Sequence, residues 1–213
     1  MLLRDDIYAT LRSEILSCTL LPGSELREQQ LAQRFSVSKS PVREALLRLQ
    51  REQLVEVEAR QGYRVTPISV SDARDMYSFR VVLETACVLA AAHHASDECL
   101  AALDVHRKVS RRISTEEFVQ RNREFHCALF EASGNQRMAS VARELIEQMD
   151  RTTLISIHTI RDQNIGELVD EHCRIIDALQ ARNGRRAARL LRAHVEDAAK
   201  RMLKGLGRSA IRT

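Results

Sequence analysis

Residues 37–65 read VSKSPVREALLRLQREQLVEVEARQGYRV, and the spacing of the apolar side chains changes within this stretch. In its first half, Val42, Leu46 and Leu49 recur every three or four residues, which predicts one buried face of a helix. After residue 54, apolar and polar residues alternate on both sides of a turn signal, as they do in a small β-hairpin. The alternating apolar residues are Val55, Val57, Tyr63 and Val65.

Two further helices are expected ahead of this stretch. Ile7, Leu11 and Ile15 recur at four-residue intervals, which predicts a first helix, and a Leu-Pro-Gly turn follows at 21–23. Leu26 and residues 31–35 are expected to begin a second, shorter helix. Three helices followed by a hairpin in one small domain predict a winged helix-turn-helix.

A second domain is expected beyond residue 66, because no proline after residue 67 interrupts the helical pattern. All three prolines lie in the first third of the chain, and the last of them is Pro67. Later amphipathic stretches are separated by glycines that suit helix ends, and one long helix is expected from Gln136 into the 150s. The predicted organisation is a winged helix-turn-helix domain at 1–66, a linker at 67–70, an all-α antiparallel bundle of about six helices at 71–205 and a flexible tail at 206–213.

The charge of the chain is mildly positive and unevenly distributed. Its 33 Lys and Arg residues exceed its 29 Asp and Glu residues, which gives a formal net charge of +4. Residues 34–51 alone contain five bases and a single acid, and such a window suits a polyanionic partner. The five cysteines are scattered, without a C-x-x-C pair, so reduced thiols are expected. With no secretion signal or membrane-spanning apolar run, the protein is expected in the cytoplasm, away from membranes.

The helix that begins after Ser38 has the features of a DNA-reading element. Ser38 is placed to cap it, and Pro41 fits its first turn. The N-terminal residues of such a helix enter the major groove, where Lys39 and Arg43 are positioned to reach guanine acceptors or phosphates. The hairpin turn at Gly62 is positioned to approach the minor groove.

Several segments of this region resemble the DNA-binding domain of the GntR family in order and spacing. They are Leu-Pro-Gly-Ser-Glu-Leu at 21–26, Val-Ser-Lys-Ser-Pro-Val-Arg-Glu-Ala-Leu at 37–46 and Gly-Tyr-Arg-Val at 62–65. The resemblance covers residues 7–66 and implies double-stranded DNA as a partner, contacted by Gln29, Ser38, Lys39, Ser40, Arg43 and Gly62. Many relatives have arginine in place of Gln29 and Lys39, which implies a shifted base readout.

Three of the seven histidines lie on apolar stripes of the predicted bundle, namely His126, His172 and His194. One histidine on such a face is more often a hydrogen-bonded core residue than a metal ligand. Three on separate inward faces, with Asn122 one turn before His126, indicate a metal site. On the residues alone, both interpretations stay open.

The C-terminal region also resembles a known domain. Its motifs are Arg80-x-x-x-Glu84, Asn122-x-x-x-His126, Ser133-Gly-Asn and Glu171-His172 with a late His194. They resemble the FCD ligand-binding domain of FadR-like GntR regulators. The resemblance implies that Asn122, His126, His172 and His194 hold a divalent metal ion, zinc or nickel, and that Arg80 binds the carboxylate of a small effector. Relatives frequently have aspartate at the first of these positions, and Asn122 brings an oxygen without its charge.

The expected function is that of a ligand-responsive transcription regulator. We expect a homodimer that binds a palindromic operator, because one module reads only a few base pairs. A repressor released by a small carboxylate at the metal site is the favoured form. One alternative keeps the DNA function with a metal-free dimerisation and effector domain. A metal-dependent hydrolase is less favoured, and no enzyme is expected, because the sequence has no H-E-x-x-H, nucleophile elbow or phosphate loop.

Overall fold

The structure, a computed structural model, describes residues 3–58, 62–108, 113–159 and 165–209. The chain divides into two compact units, Met1–Ser69 and Val70–Thr213. The predicted linker at 67–70 spans this division, and the first helix of the second unit begins at Val70. Among the described residues, no helix has the length and apolar character needed to cross a membrane.

The N-terminal unit contains three helices and a three-stranded antiparallel sheet. Its elements are α1 (Leu3–Leu16), β1 (Glu25–Leu26), α2 (Glu28–Arg34), α3 (Lys39–Arg51), β2 (Val55–Glu58) and β3 (Gly62–Val65). The strand order is β1-β3-β2, with Val55 opposite Val65 and Val57 opposite Tyr63. The predicted winged helix-turn-helix is confirmed. The expectation that Leu26 belongs to the second helix was wrong, because Leu26 lies in strand β1 opposite Tyr63, and two residues are too few to show an alternating pattern.

The predicted apolar stripes meet in one core. The stripe of α1 packs against that of α3, and the side chain of Val65 closes the core from the sheet. The fully buried members include Leu11, Val42, Leu46, Leu49 and Val65. Because the helix face that holds these residues is buried, the opposite face of α3 is left on the surface.

Two local features of the N-terminal unit bear on the candidate DNA contacts. Ser38 occupies the N-cap position of α3, but its side chain makes no capping hydrogen bond, so the expected side-chain cap is absent there. Gly62 begins β3 with φ of +109°, and a Cβ added to it would lie 3.1 Å from the backbone oxygen of Leu26. Glycine is therefore required by the conformation and by the close approach of β1. The turn residues 59–61 lie outside the described part of the chain.

The C-terminal unit is built from helices, and none of its described residues lies in a strand. They are α4 (Val70–His94), α5 (Asp97–Ala102), a 3-10 helix (Leu103–Arg107), α6 (Thr115–Ala132), α7 (Gln136–Gln148), α8 (Asp150–Thr159), α9 (Ile165–Gln180) and α10 (Gly184–Ser209). The mainly α fold class is confirmed, with one more α-helix than the six expected. Helix α10 packs against α4, α8 and α9, while α4 also packs against α6 and α7. The apolar core lies between these helices.

Two helix boundaries in this unit differ from expectation. The helix predicted from Gln136 into the 150s is two helices, because the N–H of Met149 bonds back to the carbonyls of Leu145 and Ile146 and ends α7 in a tightened turn. Helix α10 continues to Ser209, beyond the predicted start of the tail at 206, and the side chain of Leu206 still packs against the core. Residues 210–213 lie outside the described part.

Candidate DNA-binding surface and metal centre

The first candidate surface lies on the exposed side of α3. Ser38, Lys39, Ser40 and Arg43 are all exposed, and Gln29 on α2 is exposed as well. The side chain of Lys39 lies 3.5 Å from the amide oxygen of Gln29, at the limit of a hydrogen bond. The structure therefore places these five predicted residues on the surface formed by α2 and α3.

Arg43 is held by a residue that sequence reasoning did not select. Its guanidinium donates Nε and Nη2 to the two carboxylate oxygens of Glu28, at 2.9 and 2.8 Å. The hydrogen bond from Arg43 lowers the pKa of Glu28. Two parallel hydrogen bonds fix the plane of a guanidinium, so Glu28 orients Arg43 on this surface. No spacing in the sequence indicates this pair, since its members lie on different helices.

The positive charge of residues 34–51 is partly offset in the fold by acidic residues from outside this stretch. Three of its five bases form ion pairs with acids: Arg34 with Glu14, Arg43 with Glu28 and Arg48 with Asp5. Its single acid, Glu44, accepts a hydrogen bond from Arg4 at 3.0 Å. Exposed pairs of this kind contribute only about 0 to 1 kcal/mol to stability, so these bases can exchange partners readily.

The second candidate site is a cluster of three histidines inside the helical unit. His126, His172 and His194 come from α6, α9 and α10, and the ligand atoms they offer lie within 4.8 Å of one another. All three side chains are buried. Asn122, the predicted fourth ligand, is also buried and lies one turn before His126 on α6. The structure thus brings together three of the four predicted ligands and places the fourth beside them.

The hydrogen bonds of His126 identify its tautomer. Arg80 donates Nη2 to His126 Nε2 at 2.6 Å, and a guanidinium has no lone pair with which to accept. In a neutral ring the lone pair is therefore on Nε2 and the proton on Nδ1. That proton is donated to a carboxylate oxygen of Glu84 at 2.7 Å. A histidine held in this way presents Nε2 as its ligand atom.

His194 is held by a second carboxylate. Its Nδ1 lies 2.6 Å from a carboxylate oxygen of Glu171, so Nδ1 donates and a neutral ring keeps the lone pair on Nε2. Burial raises the pKa of Glu171, but the hydrogen bond from His194 and the positive charges near the carboxylate outweigh burial, and the pKa is lowered. Glu171 therefore carries a negative charge and is joined to His194 of the cluster by a hydrogen bond.

His172 differs from its two neighbours because Nε2 is buried without a hydrogen-bond partner. Its ring stacks on Phe125, with the ring centroids 3.9 Å apart. An unsatisfied buried polar atom costs about 1 to 3 kcal/mol, so a native structure needs a reason to keep one. A ligand atom reserved for a metal ion is such a reason.

The protonation states of the cluster also suit metal ligation. Burial, followed by the charge of Arg80, lowers the pKa of His126 well below its usual range. Burial is likewise the main cause that lowers the pKa of His172 well below its usual range. Both rings are neutral at pH 7, and only a neutral imidazole has a lone pair to give. The donor set therefore fits a nitrogen-binding divalent ion such as zinc or nickel.

Arg80, the predicted effector residue, is buried and already engaged. In addition to its contact with His126, it donates Nε to a carboxylate oxygen of Glu84. Burial raises the pKa of Glu84, against the charge and the hydrogen bond of Arg80. Arg80 and Glu84 form a buried ion pair, and both residues also hold the ring of His126.

A small cavity of about 20 Å³ adjoins the cluster. His194 of the cluster lines it, and its other polar lining residues are Tyr77, Arg80, Asn122, Thr153, Ser156 and Arg201. The Nε atom of Arg201 is buried without a hydrogen-bond partner. Arg201 was not among the residues selected from the sequence. The signal was present, because residue 201 lies two helical turns after His194 and shares its face.

The chain matches two families, one for each unit. Residues 3–65 match the family described as bacterial regulatory proteins, gntR family, and residues 75–197 match the FCD domain. A TM-score of 0.77 relates the structure to that of a transcriptional regulator GntR from Rhodococcus sp. RHA1. That protein is 26% identical, and the match covers 94% of this chain and 97% of the other.

Two curated relatives extend along most of the chain. The chain is 31% identical to the uncharacterized HTH-type transcriptional regulator BphR of Paraburkholderia xenovorans, over 89% of this chain and 80% of the relative. It is 27% identical to the HTH-type transcriptional repressor RspR of Escherichia coli, over 90% of this chain and 85% of the relative. Both units thus occur together in these relatives.

Proposed function

We propose that this chain, which belongs to the GntR family of bacterial regulatory proteins and carries an FCD domain, is a cytoplasmic repressor that a small carboxylate releases from a palindromic operator. That it is a DNA-binding transcriptional regulator rather than an enzyme follows from the family itself. The name of the relative RspR supports repression. The observation that carries the effector part is the buried cluster of three histidines beside a cavity lined by two arginines.

The surface of α3 is the proposed reader of operator DNA. Arg43 and Lys39 reach bases or phosphates in the major groove, Ser38 and Ser40 contact phosphates, and Gln29 supports Lys39. Gly62 lets the backbone of the β2–β3 hairpin approach the minor groove. Glu28 holds the Arg43 guanidinium flat through its Nε and Nη2 atoms, which leaves the edge formed by Nη1 and Nη2 to pair with guanine.

Replacing Arg43 with alanine tests this assignment. We expect operator affinity to fall about 5- to 150-fold, with a smaller loss on random DNA, because a base contact discriminates between sequences. The matched control is Arg51→Ala, which removes an exposed arginine at the far end of the same helix. Fluorescence anisotropy with operator and random duplexes at one salt concentration measures both losses. Equal losses on the two duplexes would make Arg43 a phosphate contact.

The FCD domain is the proposed site of metal and effector. His126, His172 and His194 would hold one divalent ion through nitrogen, with the amide oxygen of Asn122 as a fourth ligand. When bound, the ion supplies an electrophilic position that a carboxylate oxygen of the effector can occupy. Neutral ligands alone leave the double charge of such an ion uncompensated. The Glu171 carboxylate on His194 offsets part of that charge, and an anionic effector would offset more.

A metal-free effector domain is the second candidate, and one observation favours it. The guanidinium of Arg80 sits on Nε2 of His126, where it satisfies one nitrogen of the cluster without an ion. The orphaned Nε2 of His172 is not satisfied in this way, and for that reason we favour the metal.

A homodimer is proposed because a palindromic operator requires two copies of the reading helix. Helix α4 offers a surface for it, since Phe79, Val82 and Leu89 follow at spacings of three and seven and all three are exposed. The side chain of Val82 is the most exposed, at 67%. An apolar stripe at this spacing matches a two-fold pairing of α4 with its copy.

The variant Val82→Glu is expected to weaken self-association about 30-fold or more, because two copies of the new carboxylate would face each other across the two-fold axis. Val141→Glu is the control, since it places the same charge on an exposed valine of α7. Sedimentation velocity over a concentration series gives both dissociation constants. A dimer equally stable in the two variants would exclude α4 as the interface.

A further inference from the structure

The Nε2 atom of His126 has one lone pair, and both the guanidinium of Arg80 and a metal ion would bind to it. Arg80 Nη2 holds it at 2.6 Å, whereas a zinc ion on the same nitrogen would lie at about 2.0 to 2.1 Å. A guanidinium nitrogen and a metal ion cannot both occupy that direction. We propose that Arg80 occupies the place of the metal in the metal-free protein, and that metal binding displaces it into the neighbouring cavity, where it becomes a carboxylate site. This inference rests on the proposed metal site.

Electrostatics oppose any arrangement that keeps Arg80 in place beside the ion. Arg80 and His126 are both almost fully buried, so repulsion between the guanidinium and a doubly charged ion is weakly screened. Arg80 also neutralises Glu84, the carboxylate that holds His126 from the other side. When Arg80 withdraws, the charge of Glu84 acts on the ring that binds the ion, which strengthens this ring as a ligand.

The cavity that Arg80 already lines can receive the displaced guanidinium, and the described residues around it supply no anion. None of the described residues that line this cavity carries a carboxylate. Arg201 already contributes a buried Nε without a hydrogen-bond partner. Two guanidinium groups in one buried space repel each other unless an anion lies between them, and a carboxylate matches their paired donors. Metal binding thus creates the need for the effector.

The cavity has to open for this exchange. Its volume of about 20 Å³ holds roughly one water molecule, whereas the smallest carboxylate has three non-hydrogen atoms. The movement of Arg80 away from His126 changes one wall of the cavity, which is formed by α4. Metal and carboxylate should therefore bind with positive coupling, and Arg80 should carry that coupling.

Titration calorimetry of zinc into the full-length protein, purified without a histidine tag, tests the exchange. Zinc is titrated with and without acetate into wild type, Arg80→Met and the control Arg121→Met, which removes an exposed arginine of α6. We expect Arg80→Met to bind zinc at least about tenfold tighter than the other two proteins, because no guanidinium competes. Acetate should tighten zinc binding about 5- to 150-fold in wild type and in the control, and less than about twofold in Arg80→Met.

Equal zinc affinity in wild type and Arg80→Met, or an acetate effect that survives in Arg80→Met, would overturn the exchange while leaving the metal site intact. Absence of zinc binding in all three proteins would contradict the metal site as well. A crystal structure of the wild-type protein with zinc provides a readout that needs no variant. Arg80 should have left His126 Nε2 in that structure, and a guanidinium still in hydrogen-bond contact with this atom would refute the proposal.

Discussion

Replacing His172 with leucine is expected to weaken zinc binding by more than about 100-fold without lowering the stability of the metal-free protein. Loss of a residue that only supports a metal ligand costs about 10- to 100-fold in affinity, and a direct ligand should cost more. The stability expectation has a separate cause. Nε2 of His172 is buried without a partner, so leucine removes an unsatisfied atom and fills a similar volume beside Phe125.

The control for this substitution is His106→Leu. His106 also contacts the ring of Phe125, with the ring centroids 5.7 Å apart, but it does not belong to the three-histidine cluster. Zinc affinity comes from calorimetry and stability from thermal unfolding of the metal-free protein. If His172→Leu destabilised the metal-free protein by several kcal/mol and left zinc affinity unchanged, His172 would be an ordinary core residue.

Replacing Glu84 with glutamine is expected to destabilise the helical domain by about 3 to 5 kcal/mol, because it leaves the buried guanidinium of Arg80 without a counter-charge. The side chains of Arg80 and Glu84 are only 3% and 1% exposed. For a domain of this size, the loss lowers the midpoint of thermal unfolding by roughly 6 to 20 °C, measured by differential scanning calorimetry.

The matched control is Glu131→Gln, which breaks the exposed Arg143–Glu131 pair and should cost less than about 1 kcal/mol. The double variant Arg80→Met, Glu84→Leu removes both charges and should recover most of the lost stability. If Glu84→Gln were as mild as the control, or the double variant were less stable than Glu84→Gln, the ion pair would not anchor α4 to the histidine cluster.

The sequence predicts the fold well wherever a hydrophobic period is long enough to read. The stripe of Val42, Leu46 and Leu49 and the alternation of Val55 and Val57 each lie in their expected element. Strand β1 has too few residues for any period. The break at Met149 depends on how one backbone N–H is shared between two carbonyls, and no proline or glycine marks it.

For the candidate sites as well, the sequence predicts what depends on a local period and does not predict contacts between distant residues. Periodicity points His126, His172 and His194 inward, and the structure places them in one cluster. A hydrogen bond between residues that are distant in sequence leaves no local pattern, because only tertiary packing brings the two residues together. Glu28 on Arg43, and Arg80 on the ring of His126, therefore required the structure. These two contacts change the chemistry, since Glu28 orients the guanidinium of Arg43 and Arg80 occupies the nitrogen of His126 that a metal ion would need.

X-ray absorption at the zinc edge shows directly whether the three histidines bind a metal ion. The untagged full-length protein is loaded with one equivalent of zinc, and the spectrum counts the imidazoles bound to it. We expect three imidazole nitrogens at about 2.0 to 2.1 Å together with oxygen, and two imidazoles in His172→Leu if zinc is still retained. A spectrum without imidazole ligands, or one that His172→Leu leaves unchanged, would contradict a metal site built from His126, His172 and His194.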